Sequence, residues 1–316
     1  MIKNLNSQPK GLILAFFSTL ALSYGYVFSK AALSNTDIIH FGFYWFGFAS
    51  LWNIILIIKT RKKINIRKIG RKDWLAIAGN TLFEALGSVL FYVAIQRMEN
   101  PAIVSFIVNL GAIFILLMGF FFLKERFNFF EYAGIFITLA GIFLINITTN
   151  TGIKYSFLNG TWLVIASTLF TSLAVIMAKS AVNRVQPVII TSGRIFLIFI
   201  ISALLLIYNK QSFIVSFAVL KNVALGSFMG SFLSLLSLYY ALKYIEASIV
   251  SVITSTKSLI LIVLTYLFFS QTISGFQLAA GIITITGVIL ISLGKKIMEY
   301  FQNWILKKQT VNNPEK

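Results

Sequence analysis

The sequence predicts an all-α, polytopic membrane protein of ten transmembrane helices, arranged as two inverted repeats of five. Three observations predict it. The 316-residue chain is 58% hydrophobic and only 11% charged, whereas a soluble domain carries about 25% charged residues. Its apolar residues gather into ten successive runs, each of about 20 residues and long enough as a helix to cross a hydrocarbon core roughly 30 Å thick. Stretches of the first half also align on stretches of the second. One large soluble helical core would not need so many uninterrupted apolar runs.

Each run carries its own signature. The first, 11–34, follows the short basic stretch MIKNLNSQPK and places Thr19, Ser23, Tyr26 and Lys30 on one face. A cleaved signal peptide would begin the same way, but this run has a partner later in the chain, which favours a retained span. The second, 38–58, begins near His40, the sole histidine, which alone cannot build a metal site and reads as an interfacial residue. The third, 74–95, keeps Glu84 near its middle. The fourth, 101–123, carries Asn109 and Ser105 in one direction and leads through Lys124, Glu125 and Arg126 to the fifth, 131–149. The sixth, 159–182, repeats the face of the first as Thr168, Ser172 and Lys179. Both lysines stand near helix ends, where they can snorkel. The seventh, 188–209, contains Arg194. The eighth, 223–243, bears Ser227, Ser231, Ser234 and Ser237 with Tyr240, and such a stripe serves helix packing as readily as solute contact. The ninth, 247–269, holds Lys257 within SVITSTKSLI, beside Ser251, Thr254, Ser255 and Ser258. After the tenth, 277–294, the tail 295–316 opens with KKIMEYFQNWILKK. There Ile297, Phe301 and Trp304 can share one face of an amphipathic helix lying on the inner membrane surface. The closing QTVNNPEK reads as disordered.

The net charge of +18 invites a nucleic-acid partner, and its distribution argues against one. The densest basic stretch, KTRKKINIRKIGRKD at 59–73, lies between two apolar runs and carries no nucleic-acid motif. Basic residues in short loops mark the cytoplasmic side. With the N-terminus inside, 20 of the 27 Lys and Arg fall on that side and five on the other, while Arg194 and Lys257 lie within spans. Both termini are expected in the cytoplasm, the chain is expected in the plasma (inner) membrane, and lipid is its expected surrounding partner. Cysteine is absent, which excludes disulfides and thiolate chemistry.

GLILAFFSTLALSYGYVFSKAAL at 11–33 aligns without gaps on GTWLVIASTLFTSLAVIMAKSAV at 160–182, pairing Gly11 with Gly160, Ser18 with Ser167, Ser23 with Ser172 and Lys30 with Lys179. Residues 102–145 align likewise on 248–291. Two halves, 11–149 and 159–294, are therefore related. An odd number of crossings in each makes the second enter the membrane from the opposite side. Inverted repeats recur in secondary transporters, where related halves exchange conformations around one central site.

The element order, this repeat and the run LKERFNFFEYAGIFITLAGIFLI at 123–145, with Glu125, Glu131, Gly134 and Gly141, resemble the drug/metabolite transporter superfamily in its ten-helix EamA-type branch. The resemblance spans Gly11 to Leu293. It implies transport of amino acids, nucleotide sugars, phosphorylated sugars, choline-like compounds or drugs, through a cavity lined by the third, fourth, eighth and ninth helices with the first and sixth. Two departures stand out. Family members often carry a proline within the fourth and ninth helices and an arginine in both the second and seventh. Here Pro9, Pro101, Pro187 and Pro314 are the only prolines, none inside those two helices, and Trp45 occupies the counterpart of Arg194.

A carboxylate at mid-membrane must face a cavity or a partner, because exposure to lipid costs at least a few kcal/mol. Asn80, Glu84, Gly87, Ser88 and Tyr92 share one small or polar helical face. Lys257, equally central, matches Gly111 in the repeat, so it breaks the symmetry as solute recognition requires. The expected substrate-binding set is Glu84, Lys257, Asn80, Tyr92, Asn109, Ser255, Ser258, Tyr26, Ser234 and Tyr240. Glu84 is expected to rest paired with Lys257 and to serve as the proton-coupling group, with Arg194 as a gate. A permanent structural salt bridge is the competing reading of that pair.

No HExxH, GxSxG or CxxC pattern occurs and Glu84 is the only acid deep in a span, which argues against an enzyme. A passive channel would favour rings of like groups. The expectation is a monomeric secondary transporter without cofactor or metal, moving a zwitterionic or anionic metabolite such as an amino acid by alternating access, as efflux and with protons as partners. An exporter of cationic drugs or quaternary amines is the alternative.

Overall fold

The computed structural model describes residues 8–60, 69–123, 128–147, 160–245 and 247–312. These residues form ten helical segments and no strand. The first half comprises α1 (Gln8–Leu33), α2 (Ile38–Thr60), α3 (Arg71–Arg97), α4 (Pro101–Val108 continued by Leu110–Leu123) and α5 (Phe129–Ile147). The second comprises α6 (Trp162–Ala181), α7 (Pro187–Tyr208), α8 (Phe217–Tyr244), α9 (Ala247–Ser255 continued by Lys257–Phe269) and α10 (Gly275–Asn312). Among the described residues, eight helices are long and apolar enough to cross a membrane, and α4 and α5 are shorter apolar helices. This is the all-α polytopic architecture that the composition predicts. The expected Lys124–Glu125–Arg126 turn, the heart of the basic 59–73 loop, and the side chains of Ser251, Phe301 and Trp304 lie outside the described residues.

The dominant contacts join opposite halves: α1 with α8, α3 with α6, α2 with α7 and α5 with α10. Small residues make this possible, since close backbone approach is what binds helices together in lipid. A Cβ on Gly25 of α1 would stand 2.6 Å from Gly230 Cα of α8, and one on Gly134 of α5 would stand 2.8 Å from Gly287 O of α10.

Helix starts follow local chemistry. Asn100 accepts from Ala102 N at 2.8 Å, with Pro101 as the first helical residue of α4. Glu131, part of the family-like run, closes a reciprocal cap at the start of α5: Asn128 N donates to Glu131 Oε2 at 2.8 Å and Glu131 N to Asn128 Oδ1 at 3.0 Å. Ser274 and Gln277 make the same reciprocal pair at α10, at 3.0 and 3.1 Å. At the α1–α2 corner, Asp37 Oδ1 accepts from Ile39 N and His40 N, and the His40 ring bridges Asp37 to Ser212 O. Partial burial opposes ionisation of Asp37, but these hydrogen bonds and the nearby imidazole outweigh it and hold the carboxyl below its usual range.

Three helices depart from regular winding. α4 and α9 break at Asn109 and Thr256, without a proline at either point. Tight i→i−3 bonds mark the breaks: Asn109 N to Phe106 O at 3.1 Å and Thr256 N to Ile253 O at 3.2 Å. In α8, residues Ser227–Ser234 are π-wound. The tail also differs from expectation, because α10 runs unbroken for 38 residues to Asn312. Its 295–312 portion therefore continues the tenth helix and includes residues 309–312, where disorder was expected; no Pro or Gly between Gly294 and Asn312 interrupts the winding.

Candidate functional site

The two helix breaks face a cavity of about 240 Å³ between the halves. α1, α3, α4, α6, α7, α8 and α9 all contribute to its wall, which includes the six helices that the family resemblance implies. Seven of the ten expected binding residues line it: Tyr26, Glu84, Tyr92, Asn109, Ser234, Ser255 and Lys257, together with Arg194. Three do not. Asn80 is fully packed behind the wall, where its amide donates to Ala174 O and Tyr239 Oη, both at 2.9 Å. Ser258 pairs with Ser105 at 2.8 Å and so pins α9 to α4. Tyr240 sits under Lys243, whose ammonium is 5.4 Å from its ring centre.

The expected Glu84–Lys257 pair is not formed. Glu84 instead faces Arg194, with Oε2 at 3.7 Å from Nη1, and its Oε1 takes a long 3.4 Å hydrogen bond from Tyr239 Oη. The reason lies in the packing of α7 on α3 and α8. It carries Arg194 into a buried position from which the planar fork donates to Ser88 Oγ at 3.0 Å and Ser231 O at 3.1 Å while remaining beside Glu84. Lys257 lines the same cavity from the break in α9 without an ion pair to Glu84. The Glu84–Arg194 contact is loose by hydrogen-bond standards, and Arg194 Nε has no partner.

Two donors remain available on the wall. Lys257 is 4% exposed, yet among the described residues no hydrogen bond or ion pair engages its ammonium. Asn109, at the break in α4, is equally buried and its Nδ2 is unpartnered. Ser255 and Ser234 are occupied by the carbonyls of Val252 and Gly230. Tyr26 and Tyr92 supply aromatic surface with Phe91.

Tyr239 is the polar partner that the sequence analysis did not identify. The contacts show how it could have been found: α3 and α8 are repeat partners at a constant spacing of 147 residues. Ser18 Oγ donates to Ser234 O and Ser167 Oγ to Gly87 O, both at 2.7 Å. Lys30 Nζ donates to Ile95 O at 3.1 Å and Met98 O at 2.6 Å, and Lys179 Nζ to Leu242 O at 2.7 Å and Ile245 O at 3.4 Å. The two lysines, expected to snorkel, instead cap the C-terminal ends of α3 and α8, where cations are favoured. Aligning 71–97 on 218–244 at that spacing matches Gly79 with Gly226, Tyr92 with Tyr239, and Glu84 with Ser231. Trp45, the counterpart of Arg194, donates to Ser231 Oγ at 2.5 Å, and Tyr92 Oη lies 3.4 Å from the same atom. The centre thus holds an ionic cluster, Arg194–Glu84–Tyr239, and its neutral repeat, Trp45–Ser231–Tyr92.

Among known proteins, an "Uncharacterized transporter" of Methanothermobacter thermautotrophicus is 24% identical over 238 residues, covering 73% of this chain and 68% of that protein. A solved structure titled only "Crystal structure of protein" superposes with a TM-score of 0.69 over 92% of this chain and 99% of that one; at 15% identity it shows the fold alone. The EamA-like transporter family matches residues 9–147 and again 158–293, one match on each half. With a cavity between two such halves, the chain belongs to the EamA-like transporter family and is a multi-pass membrane transporter of small solutes.

Proposed function

We propose that the protein is a secondary transporter of small metabolites bearing a carboxylate or phosphate, amino acids foremost, working by alternating access in the plasma membrane with both termini in the cytoplasm. The unpaired Lys257 ammonium and the unpartnered Asn109 amide, which line the same cavity, carry this reading. A buried cation without a counter-charge costs several kcal/mol unless an anion joins it. The cavity volume supports a small solute, since drug-sized ligands occupy pockets of about 300–1,000 Å³. Glu84 is unsuited to greet a free cation while Arg194 stands beside it.

Thermal unfolding of detergent-purified protein against amino acids, phosphorylated metabolites, quaternary amines and lipophilic cations tests the proposal. Ligand binding stabilises the folded state by about 2.7 kcal/mol at a hundredfold excess over Kd. Acidic or zwitterionic solutes are expected to raise Tm, and Lys257→Gln to abolish the shift. Stabilisation by cations alone, lost in Glu84→Gln and kept in Lys257→Gln, would establish the cation exporter instead.

A further inference from the structure

A carrier that moves its solute in net flux must also return without it, and the charged side chains of this cavity do not balance. Its charged side chains are Glu84, Arg194 and Lys257. The first two offset one another, which leaves the Lys257 ammonium alone in a wall that is otherwise neutral. The titratable groups sharing the cavity from neighbouring elements are Tyr26 of α1, Glu84 and Tyr92 of α3, and Arg194 of α7. None of them forms an ion pair or hydrogen bond with Lys257. α4 contributes the neutral Asn109 and α10 the apolar Val288. A lone buried charge is relieved in one of two ways, by a counter-ion or by loss of the proton. A lysine can do the second, whereas an arginine cannot.

We propose that Lys257, rather than Glu84, gains and loses the coupling proton, so that one proton crosses with each anionic group in the same direction. The inference rests on the proposed function above. Lys257 binds the anion as ammonium, and the neutralised pair passes through the occluded state. On the far side the anion leaves, the ammonium gives its proton to water, and the carrier returns with a neutral amine. A proton from water on the loading side completes the cycle. Glu84 takes no part in this proton cycle and stays opposite Arg194, in contact with Tyr239. The repeat supports the assignment, because Lys257 aligns with Gly111, so the equivalent position of the other half carries no lysine.

The test uses full-length protein in liposomes containing a pH-sensitive dye, with a ¹⁴C-labelled mixture of the protein amino acids and ³²P-phosphate as probes. Two modes are measured: net flux into empty vesicles, and exchange against the same unlabelled solute inside. The unmodified protein is expected to perform both, with proton movement accompanying net flux only. Lys257→Arg keeps a cation that cannot release its proton. It is expected to lower net flux at least tenfold more than it lowers exchange, and an equal loss of both modes in a variant that still unfolds cooperatively in detergent would overturn the coupling inference. Glu84→Gln is expected to retain proton movement per solute transported. Net flux with unchanged proton movement in Lys257→Arg, or loss of proton movement in Glu84→Gln with solute flux retained, would overturn the coupling inference while leaving the transporter reading intact. Absence of both modes for both probes in the unmodified protein would remove the acidic-solute reading, and the coupling inference with it.

Discussion

Glu84 is held in the membrane core by Arg194 and Tyr239, and Tyr239 is held in turn by the Asn80 amide. Tyr239→Phe leaves both neighbours short of a partner. Loss of such a buried interaction costs about 1–3 kcal/mol, and a lower Tm in detergent is the expected outcome. Asn109 should behave oppositely. Its Nδ2 already lacks a partner, so Asn109→Leu is expected to leave Tm unchanged or raise it. The same variant is expected to weaken acidic-solute affinity about fivefold, the equivalent of one hydrogen bond of about 1 kcal/mol; a titration of the Tm shift checks both. The existence of an inward-facing acid at 84 and a base at 257 was legible from their position in apolar runs. Their partners were not, because pairing depends on the rotation of α7 against α3, to which hydropathy is blind. Arg194 was recognisable as a deep cation, but nothing in one sequence says which of two cations reaches an acid.

At the level of helices, the ten spans and the relation of α1 to α6 were legible from length, hydropathy and gapless alignment. The winding defects were not. Asn109 and Thr256 interrupt α4 and α9 without proline or glycine at the break, and the π-wound stretch of α8 has no compositional marker. The family-like acid at 131 is a helix cap, as its reciprocal bonds with Asn128 show. Lys30 and Lys179 are each expected to contribute through the carbonyls they cap. Lys30→Met and Lys179→Met should each destabilise by about 1.5–3 kcal/mol, the range for hydrogen bonds to a charged group. Repeat-equivalent positions should give similar Tm losses. Gly25→Ala forces α1 away from Gly230 at a point of direct backbone contact, and overpacking of this kind typically costs about 1–3 kcal/mol.

For the whole molecule, contacts between opposite halves dominate, so neither half buries its polar face without the other. The proposed orientation rests on the loop charges, and the absence of cysteine makes it directly measurable. In whole cells, Lys210→Cys is expected to react with an impermeant maleimide, and Lys72→Cys only after permeabilisation; the reverse pattern would place the termini outside. The π-wound run Ser227–Ser234 stands opposite an ordinary α-helical stretch, residues 80–87, in the other half. A π turn packs more residues into each revolution than an α turn. Rewinding this run as α would therefore lengthen α8 and turn everything below it, Tyr239 included, about the helix axis. Because the halves are related by inversion, the matching stretch of α3 could tighten as that of α8 relaxes. The two helices would then act as a pair of coupled screws, one carrying Glu84 and the other Tyr239, converting a local change of pitch into a change in which side of the membrane the cavity faces.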